Sequence, residues 1–281
     1  MKIKLKFLLI IGILIILFII GNLAIKHKLM TNRIAFVGPN KSITLYDTLT
    51  KQTSTMSING FANFQVLGKY LGGDFCCTSV DDNFVTHILF IKDNNVEKSF
   101  SLDYQPSEII ANNQELYCLV NDIIYCVDIN TQQSKIYAKD VYSSNLSLNM
   151  FLSEDGKLLF SIATDNTEII KLAYISENNT TILSEMKYAE GFISSTEFLY
   201  KDINYDTKKV DINNGTVSNA TLYRKCNNVI LSNDGNRFAS FYATGESGGF
   251  GVLKITNAHY KFGYITTLDN FSVPLSFVLM K

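Results

Sequence analysis

The feature that most constrains this chain is a short phrase repeated six times, at intervals of about forty residues. Each copy reads as an apolar run, a tight polar turn and a second apolar run. Two copies align closely. LSEDGKLLFSIAT begins at Leu152 and LSNDGNRFASFYAT at Leu231, an offset from residue 152 to residue 231 of 79, with one residue inserted in the second. Further polar turns, at Asp47, Asp93, Asp128, Glu177, Asp211 and Thr256-Asn257, each close one β-prone run and open another. Asp, Asn and Gly suit such turns because their side chains cap the backbone or tolerate positive φ. Alternation such as Leu158-Leu159-Phe160-Ser161-Ile162-Ala163 reads as strand, and no long 3.6-residue period follows residue 32. Four-stranded sheets repeated about an axis recur at about 40–45 residues.

The expected fold is therefore all-β, a six-bladed β-propeller over residues 33–281. Innermost strands are expected at Asn63–Leu67, Glu108–Ala111, Leu148–Leu152, Gly191–Ser194 and Asn228–Leu231. The first blade has no such strand before Ile34, whereas the chain ends on SVPLSFVLMK, an apolar run with no blade of its own. Ser276–Met280 is expected to supply the missing inner strand and to close the ring, which removes open sheet edges.

SEDGKLLFSIA and SNDGNRFASFYA resemble the repeats of TolB-like and WD40-like β-propellers, in which a Ser-x-Asp-Gly turn joins the first two strands of a blade. VDINTQQ and VDINNGT resemble the matching turn before the outermost strand. Only the fourth and sixth repeats carry the Asp-Gly turn; Asn112-Asn113-Gln114 replaces it in the third and Ser194-Ser195-Thr196 in the fifth. The resemblance implies a fold. It does not imply a reaction, because propellers serve as binding scaffolds, export-linked proteins and enzyme accessory domains alike.

A basic flank, residues 1–6, precedes Phe7–Ile25, 19 residues without a charge. As a helix rising 1.5 Å per residue this run spans about 28 Å, close to the hydrocarbon core of a bilayer. It reads as a transmembrane signal anchor (7–25) followed by a short stem (26–32). A cleaved signal peptide has a shorter apolar run, and the one weak cut site here follows Ala24. A buried soluble-core helix is the alternative, and continuous apolar character on all faces over 19 residues disfavours it. Lys2, Lys4 and Lys6 on one side nearly balance Lys26, Lys28 and Arg33 on the other. The short basic start favours an inside amino terminus, placing the domain outside a cell membrane, single-pass.

Residues 1–32 hold five lysines and no acid. Of 25 basic and 26 acidic residues the domain thus keeps 20 and 26, a formal charge of −6. That excludes nucleic acid as a partner, since binding it needs a basic footprint.

Catalytic and metal motifs fail one by one. Gly245-Glu246-Ser247-Gly248-Gly249 matches G-x-S-x-G, but it lies between two strands rather than in a strand–turn–helix elbow, and no acid falls between Ser247 and His259. It reads as a hairpin loop, and as the best candidate for ligand contact because it is the most Gly-rich one in the domain. His27, His87 and His259 form no metal-ligand spacing, and no cofactor is expected. The five cysteines, Cys76, Cys77, Cys118, Cys126 and Cys226, cannot all pair within one chain. Cys118 and Cys126 flank one hairpin. A three-residue turn would set them opposite each other for a disulfide, and a two-residue turn at Asn121-Asp122 would put them on opposite faces.

Two functions remain. One is a membrane-anchored scaffold binding a ligand or a protein partner in the same membrane or envelope. The other is a hydrolase or lyase with a site at the axial mouth. Three or more convergent carboxylates or histidines in the axial channel would favour the enzyme, and an apolar or mixed rim the scaffold.

Overall fold

The computed structural model describes residues 11–13, 15–17, 20–21, 33–38, 40–47, 50–142, 148–164, 169–176, 179–220, 227–232, 237–244, 250–257, 263–267 and 277–280. The strands form six four-stranded antiparallel sheets. The second to sixth sheets each take four consecutive strands, beginning with Phe64–Gly68, Glu108–Ala111, Met150–Leu152, Tyr188–Phe192 and Asn227–Leu231. The first sheet joins the two ends of the domain. Its order is Phe277–Met280, Arg33–Val37, Ile43–Asp47, Gln52–Met56.

The closing strand pairs as the sequence predicts, with Phe277 opposite Phe36 and Met280 opposite Arg33. Ser276 lies outside the described residues. Val278, Leu279 and Met280 are buried, and each such side chain contributes about 1.5–3 kcal/mol relative to exposure. Hydrophobic clusters sit between neighbouring sheets. One joins Ala35, Ile43 and Val278 of the first sheet to Phe64, Phe75 and Leu89 of the second. Another joins Phe151 and Leu172 of the fourth to Phe198 and Val210 of the fifth.

At two places the innermost strands approach too closely for a side chain. A Cβ on Gly68 would stand 1.8 Å from the carbonyl oxygen of Ile109, and one on Gly191 1.9 Å from that of Val229. Gly191 also sits at a bulge with φ +133°, and its inner strand runs Tyr188–Phe192, starting three residues and ending two residues before the expected Gly191–Ser194. The fourth inner strand starts at Met150, later than the expected Leu148. The amide of Asn149, just before the strand, is taken by the Glu108 carboxylate, as is that of Met150.

The turns obey one chemistry under different spellings. In the fourth sheet the Lys157 amide donates to Ser153 Oγ at 2.9 Å, and Gly156 takes φ +84°. In the third, Asn112 Oδ1 accepts from the amides of Gln114 and Glu115. In the fifth, Ser194 Oγ accepts from the amide of Glu197. The third and fifth repeats, which depart from Ser-x-Asp-Gly, therefore keep an oxygen in the capping position.

Antiparallel strands give the assembly two ends. Arg33, where the domain begins, lies at the end of the Asn112 and Ser153 turns, because each of these leads into the second strand of its sheet. The opposite end carries the hairpins joining second to third strands, at 38–42, Asp81–Val85, Asn121-Asp122 and Asp202–Asp206.

The described part of the 7–25 segment, 11–13, 15–17 and 20–21, is helical. Its apolar side chains are uncovered, Ile15, Ile16, Leu17 and Ile20 being 54–59% exposed. Among the described residues no helix is long and apolar enough to cross a membrane.

Candidate functional site

The axial channel is lined by inner strands of five sheets, the second to the sixth. Its walls are mainly apolar, with Leu67, Ile109, Phe151, Phe192 and Leu231 facing in beside two charged residues, Lys69 and Glu108. The cavity measures about 60 Å³. At about 30 Å³ per liquid water this holds a couple of waters, against the several hundred Å³ of a small-molecule site. Among the described residues no three His, Cys, Asp or Glu stand close enough to hold a metal ion.

The two channel charges are structural ties. Glu108 accepts from the Asn149 amide at 3.0 Å, from Asn149 Nδ2 at 2.5 Å and from the Met150 amide at 3.1 Å, clamping the third inner strand to the fourth. Burial raises its carboxyl to about 7, and the bonds from Asn149 oppose that rise. Lys69 reaches from the second sheet to the carbonyl of Leu152 in the fourth, at 3.3 Å.

The hairpin end is different. Asp81–Val85 and Asp202–Asp206 are two tips of one construction. In each, the first Asp donates its amide to the fifth residue's carbonyl and accepts the fourth residue's amide on its own. In each, Oδ1 of that Asp accepts from the third and fifth amides, at 2.9 Å throughout. The fourth residue, in the left-handed region, is aromatic: Phe84 at φ +63° and Tyr205 at φ +62°. These rings are 88% and 60% exposed. A bulky residue in this conformation is a genuine outlier. Beside Phe84, between the first and second sheets, opens a cleft of about 240 Å³ lined by Lys41, Asn63, Gln65, Val80, Asp81 and Asp82.

Asp81 is further braced. His87 Nε2 lies 3.1 Å from Asp81 Oδ2, and Ser101 Oγ lies 3.1 Å from His87 Nδ1. A carboxylate only accepts, so Nε2 carries the proton and Nδ1 accepts the Ser101 hydroxyl. Hydrogen bonds from His87 and the Val85 amide hold the Asp81 carboxyl below its usual range. His87 and Ser101 stand directly opposite on neighbouring strands, so strand pairing itself delivers this contact.

No family model and no curated protein matches the chain by sequence. Solved structures do match in shape. TolB from Acinetobacter baumannii is similar at 17% identity and TM-score 0.57, over 89% of this chain and 67% of that one. A nidogen/laminin complex is similar at 9% identity and TM-score 0.54, over 89% of this chain and 98% of that one. An oligogalacturonate lyase in complex with manganese is similar at 7% identity and TM-score 0.50, over 88% and 73%. The chain is a β-propeller.

The residues expected at a site fare unequally. Gly245, Glu246, Ser247, Gly248 and Gly249 lie outside the described residues, as do His259 and Cys226; the strands flanking the Gly-rich segment pair Thr244 with Phe250. The Cys118–Cys126 disulfide is corrected. Val120 pairs with Ile123 across a two-residue turn, so Cys118 faces Tyr125 and Cys126 faces Tyr117, one position out of register. Both thiols are free and buried, as are Cys76 and Cys77. Desolvation pushes Cys118 well above the ordinary thiol range and Cys126 up to about 12, which makes them inert packing groups. The aromatic tips were missed by sequence reasoning. Their signal is Asp-x-Asn-aromatic at 81–84 and again at 202–205.

Proposed function

We propose that this protein is a membrane-anchored, extracytoplasmic scaffold whose six sheets are six propeller blades and whose hairpin end binds a protein partner. The observation that carries the reading is the axial channel. It is apolar and about 60 Å³, and its two charged groups are spent on tying inner strands together. A propeller enzyme of the expected kind would place convergent polar groups there. The exposed isoleucines and leucine among the described helical residues, 11–13, 15–17 and 20–21, support membrane attachment, since a soluble helix would bury such a face. The domain begins at the end opposite the hairpin tips, so an anchored chain turns those tips away from the bilayer. Fold alone does not choose the function, because the similar structures include a nidogen/laminin complex and a lyase.

Crosslinking in intact cells, followed by partner identification, tests the scaffold. A reproducible protein partner is expected, and its absence across crosslinkers of different reach rejects the reading. Degradation of the domain by protease added outside intact cells tests the orientation.

A hydrolytic reading is favoured by one observation, the Ser101–His87–Asp81 chain of hydrogen bonds on an open sheet face. It requires that a fluorophosphonate probe label Ser101 and that His87→Gln abolish the labelling. An unlabelled protein removes it.

A further inference from the structure

The two aromatic tips belong to the second and fifth sheets, three repeats apart, and differ in what stands beside the ring. In the fifth sheet the residue before the inner strand is Lys187, whose ammonium stands over the Tyr205 ring at 5.9 Å. That is within reach of a cation–π contact. In the second sheet the residue before the inner strand is Asn63, and the open cleft lies beside Phe84 instead. The fifth sheet thus displays, with its own lysine, a contact that the second leaves vacant.

The charges agree. In each tip one Asp is consumed by the turn, Asp81 or Asp202, while a second projects outward, Asp82 or Asp206. Among the described residues the side-chain carboxylate of neither Asp82 nor Asp206 has a hydrogen-bond or ion-pair partner, and both residues are exposed. An exposed ring next to an uncommitted carboxylate complements a side chain with a cationic head and an apolar stem. The domain's formal charge of −6 draws the same class of partner.

We propose that the cleft between loop 38–42 and the Asp81–Val85 tip binds a lysine or arginine side chain of the protein partner, with Phe84 under the cation and Asp82 against it. Asn63, Gln65 and Lys41 also line this cleft, where the one lysine is outnumbered by the two carboxylates of Asp81 and Asp82. The His87 and Ser101 brace keeps Asp81, and with it the whole tip, in one orientation. This inference rests on the scaffold reading and names the chemistry of its partner.

The test uses the full chain in detergent micelles and two fluorescein-labelled peptides, one of alternating Gly and Arg and one of alternating Gly and Glu, followed by fluorescence anisotropy. The Arg peptide is expected to bind and the Glu peptide not to. Asp82→Asn and Phe84→Leu are each expected to weaken binding about fivefold to tenfold. Glu154→Gln, in the turn of like construction at the other end, is expected to leave it unchanged. Binding of the Arg peptide that survives Asp82→Asn with Phe84→Leu overturns the proposal, as does equal binding of both peptides or of neither. Crosslinking the double variant in cells separates the two readings. A partner retained by a chain that has lost both groups leaves the scaffold standing and ends this inference, whereas no partner for wild type ends the scaffold reading itself.

Discussion

Ser153–Lys157 and Asp81–Val85 are the same five-residue turn placed at opposite ends of the propeller. In both, the first amide bonds the fifth carbonyl, the fourth amide bonds the first carbonyl, and the fourth residue is left-handed. At one end that residue is Gly156, the residue that adopts this conformation without steric cost. At the other it is Phe84, and in the fifth sheet Tyr205, at a cost of about 1–2 kcal/mol each. A ring that is 88% exposed returns little of that in burial. The Gly-centred turn serves folding. The aromatic tips hold strain that the fold does not need, and such strain gathers where binding occurs.

The largest test of this contrast lies in the inner strands, where folding alone sets the residue. Gly68→Ala would drive a methyl to 1.8 Å from a backbone oxygen, which no rotamer change relieves. A loss of about 3 kcal/mol is expected in chemical denaturation; a loss below about 0.5 kcal/mol would show the strands free to spread. Next comes Gly156→Phe, which gives the glycine-centred turn the ring of the aromatic tip. The nearest atom to an added Cβ is Asn112 Nδ2 at 3.8 Å, so the change is one of backbone strain alone. It should cost about 1–2 kcal/mol.

Glu108 supplies a test by pH. Its carboxyl is raised to about 7 from an ordinary 4.5. Between those values the unfolded chain has released a proton that the folded chain still holds, so this group's contribution falls as pH rises and levels off above about 7. The stability difference between wild type and Glu108→Gln should therefore move toward wild type on acidification from 7 to 4.5, by on the order of 1 kcal/mol per pH unit. A difference independent of pH would show the carboxylate already ionised in the channel. The smallest effect is the most diagnostic. Phe84→Gly should raise stability by about 0.5 kcal/mol, because relief of the left-handed strain slightly exceeds the entropy cost of glycine. A destabilised variant would make the ring a packing residue after all.

Much of the fold is legible in the sequence because turns are written in side chains that cap backbones. Asp128 and Asp211 were recognisable, and their Oδ1 atoms accept the amides expected of them. The closing strand was legible as an apolar run without a blade. Asn112 and Ser194 were harder, since the capping oxygen survives while the motif does not. The site was nearly illegible. Glu108 sits in an apolar strand with nothing nearby in sequence to announce Asn149, 41 residues on. Phe84 and Tyr205 occupy a left-handed turn position where glycine is the usual choice, so nothing in the residue type marked either one until its φ was known.

The most direct test of binding at the hairpin end places a photo-crosslinking residue at Asn83 in one chain and at Asp155 in another, both exposed and both in the same turn geometry. Irradiated in intact cells, the chain carrying the probe at position 83 should capture a protein partner and the chain carrying it at 155 should not. Capture only from position 155, or equally from both, would contradict the assignment of binding to the aromatic end.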